Sequence, residues 1–328
     1  MAAASTARDT LPASPCPYGS EALAQARFGS LITAYAQRLP SSDAAAGSGT
    51  AVVFVHGFGA CKEHWRHNLP PLAGQRPCYA LDLIGFGASS KPPSVLRGEP
   101  TTPGAVHYCV DFWAEQVERF VQEVVQQPVQ LIGNSIGGVV ALAAAQRLER
   151  AGQPARQVIL VDCAQRSIDE KRLAEQPPLR RLGRPLLKTL VRQRWLTGPL
   201  FGSLAKAGVI RRVLEIAYPS GQGVDDELVE ILLAPTRDSG APESFRGFIN
   251  LFDDRLAPEL LAQLQTPVRM IWGARDPWEP LAEAQRWAQA YPSVVQELVV
   301  LDDLGHCPHD EAPERVNPVL QRWLAMAD

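Results

Sequence analysis

An open, mostly parallel α/β sheet with a helical segment inserted near its middle is the fold class this sequence predicts, and three observations carry it. Apolar-rich runs read as strands at 51–55, 78–83, 129–132, 157–163, 268–272 and 294–301, the first of the kind buried on both faces of a sheet. Helical patterns separate them, so strand and helix alternate as in a doubly wound fold. From Ala164 to about Leu264 the alternation stops, and Leu-, Arg- and Pro-rich helical stretches replace it.

Taken in order, residues 1–28 are a Pro/Ser/Ala-rich stretch that reads as a disordered leader. Leu31–Gln37 reads as one edge strand, and Ser41–Gly49 as a flexible loop. Ala51–Val55 is a continuous apolar strand that runs into His56-Gly57-Phe58-Gly59-Ala60, a glycine-rich turn that exposes backbone N–H groups. Cys78–Leu83 follows as a strand, and Asp82 within it reads as a hydrogen-bonded organiser of the loop behind it. Phe112–Val125 is helical, with Phe112, Val117, Phe120, Val121 and Val124 spaced to bury one face.

Pro128 then opens the strand Val129–Ile132, which meets Gly133-Asn134-Ser135-Ile136-Gly137 and passes directly into an Ala/Leu/Val helix. A serine in that context sits on a sharp elbow at the carboxyl end of a buried strand, with its hydroxyl exposed. The following helix aims its amino-terminal N–H groups at the same spot. Ser135 is therefore the candidate nucleophile. The strand Gln157–Cys163 carries Asp162 near its end, and helical stretches are expected at Ser167–Glu175, Leu179–Trp195, Leu204–Ala217, Asp225–Leu233 and Glu243–Leu251. Together 164–264 reads as a helical cap between two parts of a core, 29–163 and 265–328. Leu186, Leu187, Leu190, Trp195, Leu196, Leu200 and Phe201 give that cap apolar surface with which to shape a pocket.

The core resumes with the strand leading to Asp276, then a helix around Leu281–Ala290, the strand Val294–Leu301 with His306 beyond it, and a closing helix at Val316–Met326. Ser135, Asp276 and His306 thus occur as nucleophile, acid and base, each in a loop after a strand. That order is the one used by α/β-hydrolases. Loops at the carboxyl ends of parallel strands converge on one edge, which gives distant residues a physical reason to meet. The N–H groups of Phe58 and Ile136 are the expected oxyanion hole. Asp162 is the rival acid and His309 the rival base, the latter expected to fix its loop with Asp310 or Glu311. His56 reads as a structural histidine.

Composition limits the alternatives. The net charge of −3 excludes a globally basic nucleic-acid binder, yet Arg166–Arg212 holds twelve Lys/Arg against three acids. That segment is about +9 and the remainder about −12. A basic cap with much apolar surface could rest on an anionic membrane and draw lipophilic substrate from it. The six cysteines form no Cys-x-x-Cys pair, which points to reduced thiols and no structural metal. No apolar run is long enough to span a bilayer, and Met1–Asp9 lacks the apolar centre of a secretory signal, so a cytoplasmic location is expected.

Five blocks carry a resemblance to a known family. His56-Gly-Phe-Gly, the Trp113…Gln116…Pro128 approach, Gly133-Asn-Ser-Ile-Gly-Gly, Gly273-Ala-Arg-Asp-Pro-Trp and Gly305-His-Cys-Pro-His-Asp-Glu-Ala-Pro-Glu resemble pheophytinase and its plant and cyanobacterial relatives, from about residue 51 onward. The Gly-His-Cys-Pro-His-Asp-Glu block is the most specific. The resemblance implies hydrolysis of the phytyl ester of a chlorophyll-type pigment, with no cofactor, by a protein peripheral to the thylakoid membrane or, in a eukaryote, within the plastid. His56 departs from the proline frequent at that position. Carbon–carbon bond hydrolases of ring-fission products use the same triad and remain an alternative, as do esterases for other apolar esters. A catalytically silent binding protein is disfavoured by the complete triad. An epoxide hydrolase or dehalogenase is disfavoured because it would need aspartate where Ser135 stands.

Overall fold

The computed structural model describes residues 16–19, 22–40 and 49–327. The strands are β1 (Leu23–Phe28), β2 (Leu31–Arg38), β3 (Ala51–Val55), β4 (Cys78–Leu81), β5 (Val129–Asn134), β6 (Gln157–Val161), β7 (Val268–Gly273) and β8 (Val295–Leu301). They form one eight-stranded sheet in the order β1-β2-β4-β3-β5-β6-β7-β8. β3 to β8 are parallel, while β2 runs antiparallel to both β1 and β4. The helices of eight or more residues are α1 (Val110–Phe120), α2 (Ile136–Arg150), α3 (Pro178–Val191), α4 (Arg194–Leu204), α5 (Ala207–Ala217), α6 (Asp226–Leu233), α7 (Ala241–Ile249), α8 (Leu281–Ala290) and α9 (Pro313–Met326).

The apolar strands are buried on both faces because each face has its own helical layer. Val53 and Val55 of β3 join Trp113, Leu142 and Trp287, from α1, α2 and α8, in one core. Val52 and Phe54 join Trp65, Leu320 and Trp323 on the other side. The two-residue period of a strand thus divides one run between two cores. At the lower edge of the sheet, Gln130 and Gln157 donate to the carbonyls of Leu324 (3.0 Å) and Trp323 (2.9 Å), which ties down α9.

Several expectations need correction. The leader expected over 1–28 contains β1, where Phe28 is the single fully buried residue and packs edge-on against Phe112 at 5.5 Å. One buried position in six leaves no apolar run to read. Residues 1–15 lie outside the described residues. β2 is an inner strand, because β1 folds back onto it through a turn at Gly29 with φ +62°. The segment expected as one helix over Leu179–Trp195 is broken between α3 and α4. Side chains from α7 and the residue that follows it cap the break: Asn250 donates to the Val191 carbonyl and Arg246 to that of Arg192, both at 2.8 Å. Ser167–Glu175 holds only a short 3₁₀ turn at Glu170–Glu175. The end of the expected cap belongs to the core, since the helix Ala257–Leu261 and Leu264 pack with α2 in the first core.

The cap is joined to the core where the base loop lies. Leu214, Ala217 and Tyr218 of the α5 end form a small cluster with Leu228, Val229 and Cys307. The Ala217 carbonyl accepts the His306 N–H at 2.9 Å. A side chain at Gly305 would strike that same carbonyl, so glycine is required for the approach.

Candidate active site

Ser135 links β5 to α2 with φ +55° and ψ −126°, a conformation that L-residues rarely hold. Such strain costs of order 1–3 kcal/mol and persists only where the surroundings enforce it. They do so here. The Ser135 N–H donates to Val161 O (3.0 Å), and its carbonyl accepts from Gly138 (2.9 Å) and Ala164 (3.0 Å). A side chain on Gly137 would collide with the Val55 and His56 carbonyls, so α2 can start only here if that residue is glycine. The serine itself is half-exposed between buried neighbours.

Asp276 and His306 arrive from the loops after β7 and β8. Asp276 Oδ2 lies 2.7 Å from His306 Nδ1, with the carboxylate fully buried. Its other oxygen accepts the N–H groups of Trp278 (2.8 Å) and Glu279 (3.1 Å), which fixes its orientation. The Trp278 ring meets the imidazole edge-to-face at 4.9 Å. Asn134, beside the nucleophile, donates to the His306 carbonyl at 3.1 Å. The nucleophile turn and the base loop are therefore directly bonded.

The rivals have other places. Asp162, also at positive φ, accepts the Gly273 N–H at 2.9 Å and is completely buried. Burial and the nearby Asp276 push its carboxyl well above the usual range. Glu279, missed by the sequence reading, is a third acid here. Burial first and the charge of Asp276 in addition push it up to about 8, while its carboxylate accepts the Gln165 N–H at 2.8 Å. His309 is sealed among Trp65 and His64, and neither ring nitrogen has a hydrogen-bond partner among the described residues. Burial holds it well below the ordinary histidine range, hence neutral. The loop is fixed instead by Glu311, which accepts from Gly305 (2.8 Å) and Ser220 (2.9 Å).

His56 is structural: Nδ1 lies 2.7 Å from Gly57 O, and Nε2 accepts the Leu83 N–H at 3.0 Å, which leaves the proton on Nδ1. Asp82 organises its loop by accepting the Lys62 and Ala88 N–H groups and the Lys62 ammonium at 2.6, 2.7 and 2.9 Å. The turn it supports passes close to Ser135, since a Cβ on Gly57 would lie 3.1 Å from that of the serine. Among the described hydrogen bonds, the N–H groups of Phe58 and Ile136 have no acceptor. Such donors are free to receive a substrate oxygen.

An aromatic wall adjoins this turn. The Phe58 ring stacks on Phe248 at 3.8 Å and lies 5.9 Å from Phe86 and 6.4 Å from Phe245, both at steeper angles. Phe201 of α4 meets Phe245 at 5.4 Å. Phe245 and Phe248 escaped the sequence reading because an amphipathic helix is first explained by core packing. The expected apolar pocket residues Leu186, Leu187, Leu190, Trp195 and Leu200 are exposed on the molecular surface instead.

A mostly parallel sheet with a serine elbow and an acid–base pair at its carboxyl edge defines a hydrolase of the α/β class. Residues 52–319 match the Alpha/beta hydrolase family, and the chain belongs to it. The chain is 26% identical over 308 residues to the chloroplastic pheophytinase of Arabidopsis thaliana, covering 84% of this chain and 61% of the relative. It is 28% identical over 279 residues to the dihydrolipoyllysine-residue acetyltransferase component of the acetoin cleaving system of Pseudomonas putida, covering 84% of this chain and 64% of that one. The chain thus spans less than two thirds of the length of these curated relatives. Among solved structures, a thermophilic esterase of Thermogutta terrifontis shares the fold at a TM-score of 0.63 and 22% identity, covering 93% of this chain and 98% of the other.

Proposed function

We propose that this chain is a serine hydrolase of carboxylic esters, and that its substrate is a bulky apolar ester such as the phytyl ester of pheophytin or chlorophyll. The observation that carries the reading is the His306–Asp276 pair at 2.7 Å, bonded through Asn134 to the turn that holds the strained Ser135. With Nδ1 committed to Asp276, the His306 nitrogen left for chemistry is Nε2. It takes the Ser135 hydroxyl proton as Oγ attacks the ester carbonyl, and the Phe58 and Ile136 N–H groups hold the resulting oxyanion. The C–O bond to the alcohol then breaks, and His306 returns the proton to the departing alcohol oxygen. Water, deprotonated by the same nitrogen, attacks the acyl-serine; the C–O bond to Ser135 Oγ breaks, His306 returns the proton to Oγ, and the acid is released. No cofactor enters the proposed cycle.

For the substrate, support comes from the wall of Phe58, Phe86, Phe245 and Phe248 next to the proposed oxyanion turn, and from the likeness to pheophytinase. Such rings suit a flat pigment or a long isoprenoid chain. The test is product chromatography after purified wild-type and Ser135→Ala proteins are incubated with pheophytin, chlorophyll and a short-chain aryl ester. Release of phytol and phytol-free pigment by wild type alone is the expected result. Cleavage of the short ester alone would retain the serine mechanism and reject the pigment. No cleavage of any ester would reject the esterase reading.

A further inference from the structure

The helix α3 is built inside out. Leu182, Leu186 and Leu190 follow a four-residue spacing and form one row, with Leu187 beside it. In a soluble helix that row faces the core, yet Leu182 is 83% exposed, Leu186 65% and Leu187 51%. Trp195, at the start of α4, is 70% exposed. The face turned to the protein is the basic one. Arg184 is buried, donates to the Ile168 carbonyl and lies over the Phe252 ring at 5.1 Å. Lys188 pairs with Glu170 and approaches the same ring at 5.6 Å. These contacts commit the leucines to the outside.

The chemistry surrounding the row indicates what covers it. Between Glu175 and Glu215 the sequence has nine Lys/Arg residues and no acid. Along the flank of α3 runs a groove of about 410 Å³ lined by Arg181, Arg184, Lys188 and Arg192, with Glu170 as its one carboxylate. Arg181 is exposed and donates to the Gln176 and Ala174 carbonyls, so its charge is not cancelled, whereas Lys188 pairs with Glu170 and Arg192 lies 3.9 Å from Glu99. Beyond α4, Lys206 and Arg212 are exposed and hold no carboxylate among the described residues. An apolar row and a tryptophan edged by uncancelled cations fit the boundary between acyl chains and anionic head groups. A second copy of this chain fits poorly, because a two-fold contact would set the same basic flank against itself.

We infer that α3 and the start of α4 form a membrane-docking face that seats the leucines and Trp195 in an anionic lipid surface. This goes beyond the proposed reaction and does not depend on its substrate. The test is co-sedimentation of the whole protein with vesicles of phosphatidylcholine, with and without phosphatidylglycerol, at low and high salt. Wild type is expected to bind the anionic vesicles, and salt should weaken that binding. Leu182→Ser/Leu186→Ser should reduce it by about tenfold or more, and Arg181→Gln/Lys206→Gln by about fivefold per charge removed. Thermal unfolding followed by circular dichroism checks that each variant folds, and Trp195→Ser supplies an independent apolar variant. No binding by wild type, or unchanged binding by folded leucine and tryptophan variants, would overturn the inference. So would light scattering that shows a lipid-free dimer which Leu182→Ser/Leu186→Ser turns into a monomer.

Discussion

His306 Nδ1 and Asp276 Oδ2 lie 2.7 Å apart, although 30 positions and the strand β8 separate the two residues in the chain. A second carboxyl, Asp162, ends the neighbouring strand β6, yet it spends its accepting oxygen on the Gly273 N–H. This difference assigns separate roles to two acids that a sequence presents as equals. Asp276→Asn should lower kcat by about 10³–10⁴, the loss expected when an imidazole is left in the wrong tautomer. Asp162→Asn alters a carboxyl that accepts the Gly273 N–H rather than holding His306, and should change kcat by less than about tenfold. Steady-state kinetics on any accepted ester separates the two, and the reverse ranking would move the acid to β6.

The strain at Ser135 predicts opposite effects on stability and activity. Ser135→Gly relieves φ +55° and should raise the unfolding free energy by about 1 kcal/mol in urea titration. The same variant, like Ser135→Ala, should lose several orders of magnitude in kcat for want of a nucleophile.

Glu279 sets a pH dependence of stability. Its carboxyl is pushed up from 4.5 to about 8 by burial and by Asp276. Between those values the unfolded chain has released a proton that the folded protein still holds. Stability from this group therefore falls as pH rises through the window, by up to about 1.4 kcal/mol per pH unit, and levels off beyond it. Glu279→Gln keeps an acceptor for the Gln165 N–H and should flatten the slope in urea unfolding measured across that range. An unchanged slope would show that Glu279 ionises normally.

The aromatic wall predicts a selective defect. Phe248→Ala removes the ring stacked on Phe58 and should raise KM for a long-chain or pigment ester by about tenfold or more. A short-chain ester, which cannot span the wall, should lose much less. Equal losses on both substrates would place the ring's role in folding the cap.

The sequence alone determined the features that depend on local chemistry and on repeated pattern. Apolar-rich runs mark sheet strands, so β3 to β8 were legible with the helices between them, although β8 at the sheet edge is buried only at Val295 and Leu301. Gly133-Asn-Ser-Ile-Gly is readable because its backbone conformation and close contacts are met only by particular residue types. β1 was not legible, since a strand with one buried residue exists through its pairing with β2. The break between α3 and α4 was also hidden, because the groups that cap it come from α7 and the residue that follows it, more than fifty residues later. Glu279 reads as an ordinary surface acid until folding buries it beside Asp276. Which way an amphipathic helix turns is likewise not written in its periodicity. The spacing of Leu182, Leu186 and Leu190 defines a row, but only the partners across the helix axis, Phe252, Glu170 and the Ile168 carbonyl, decided that the row faces outward.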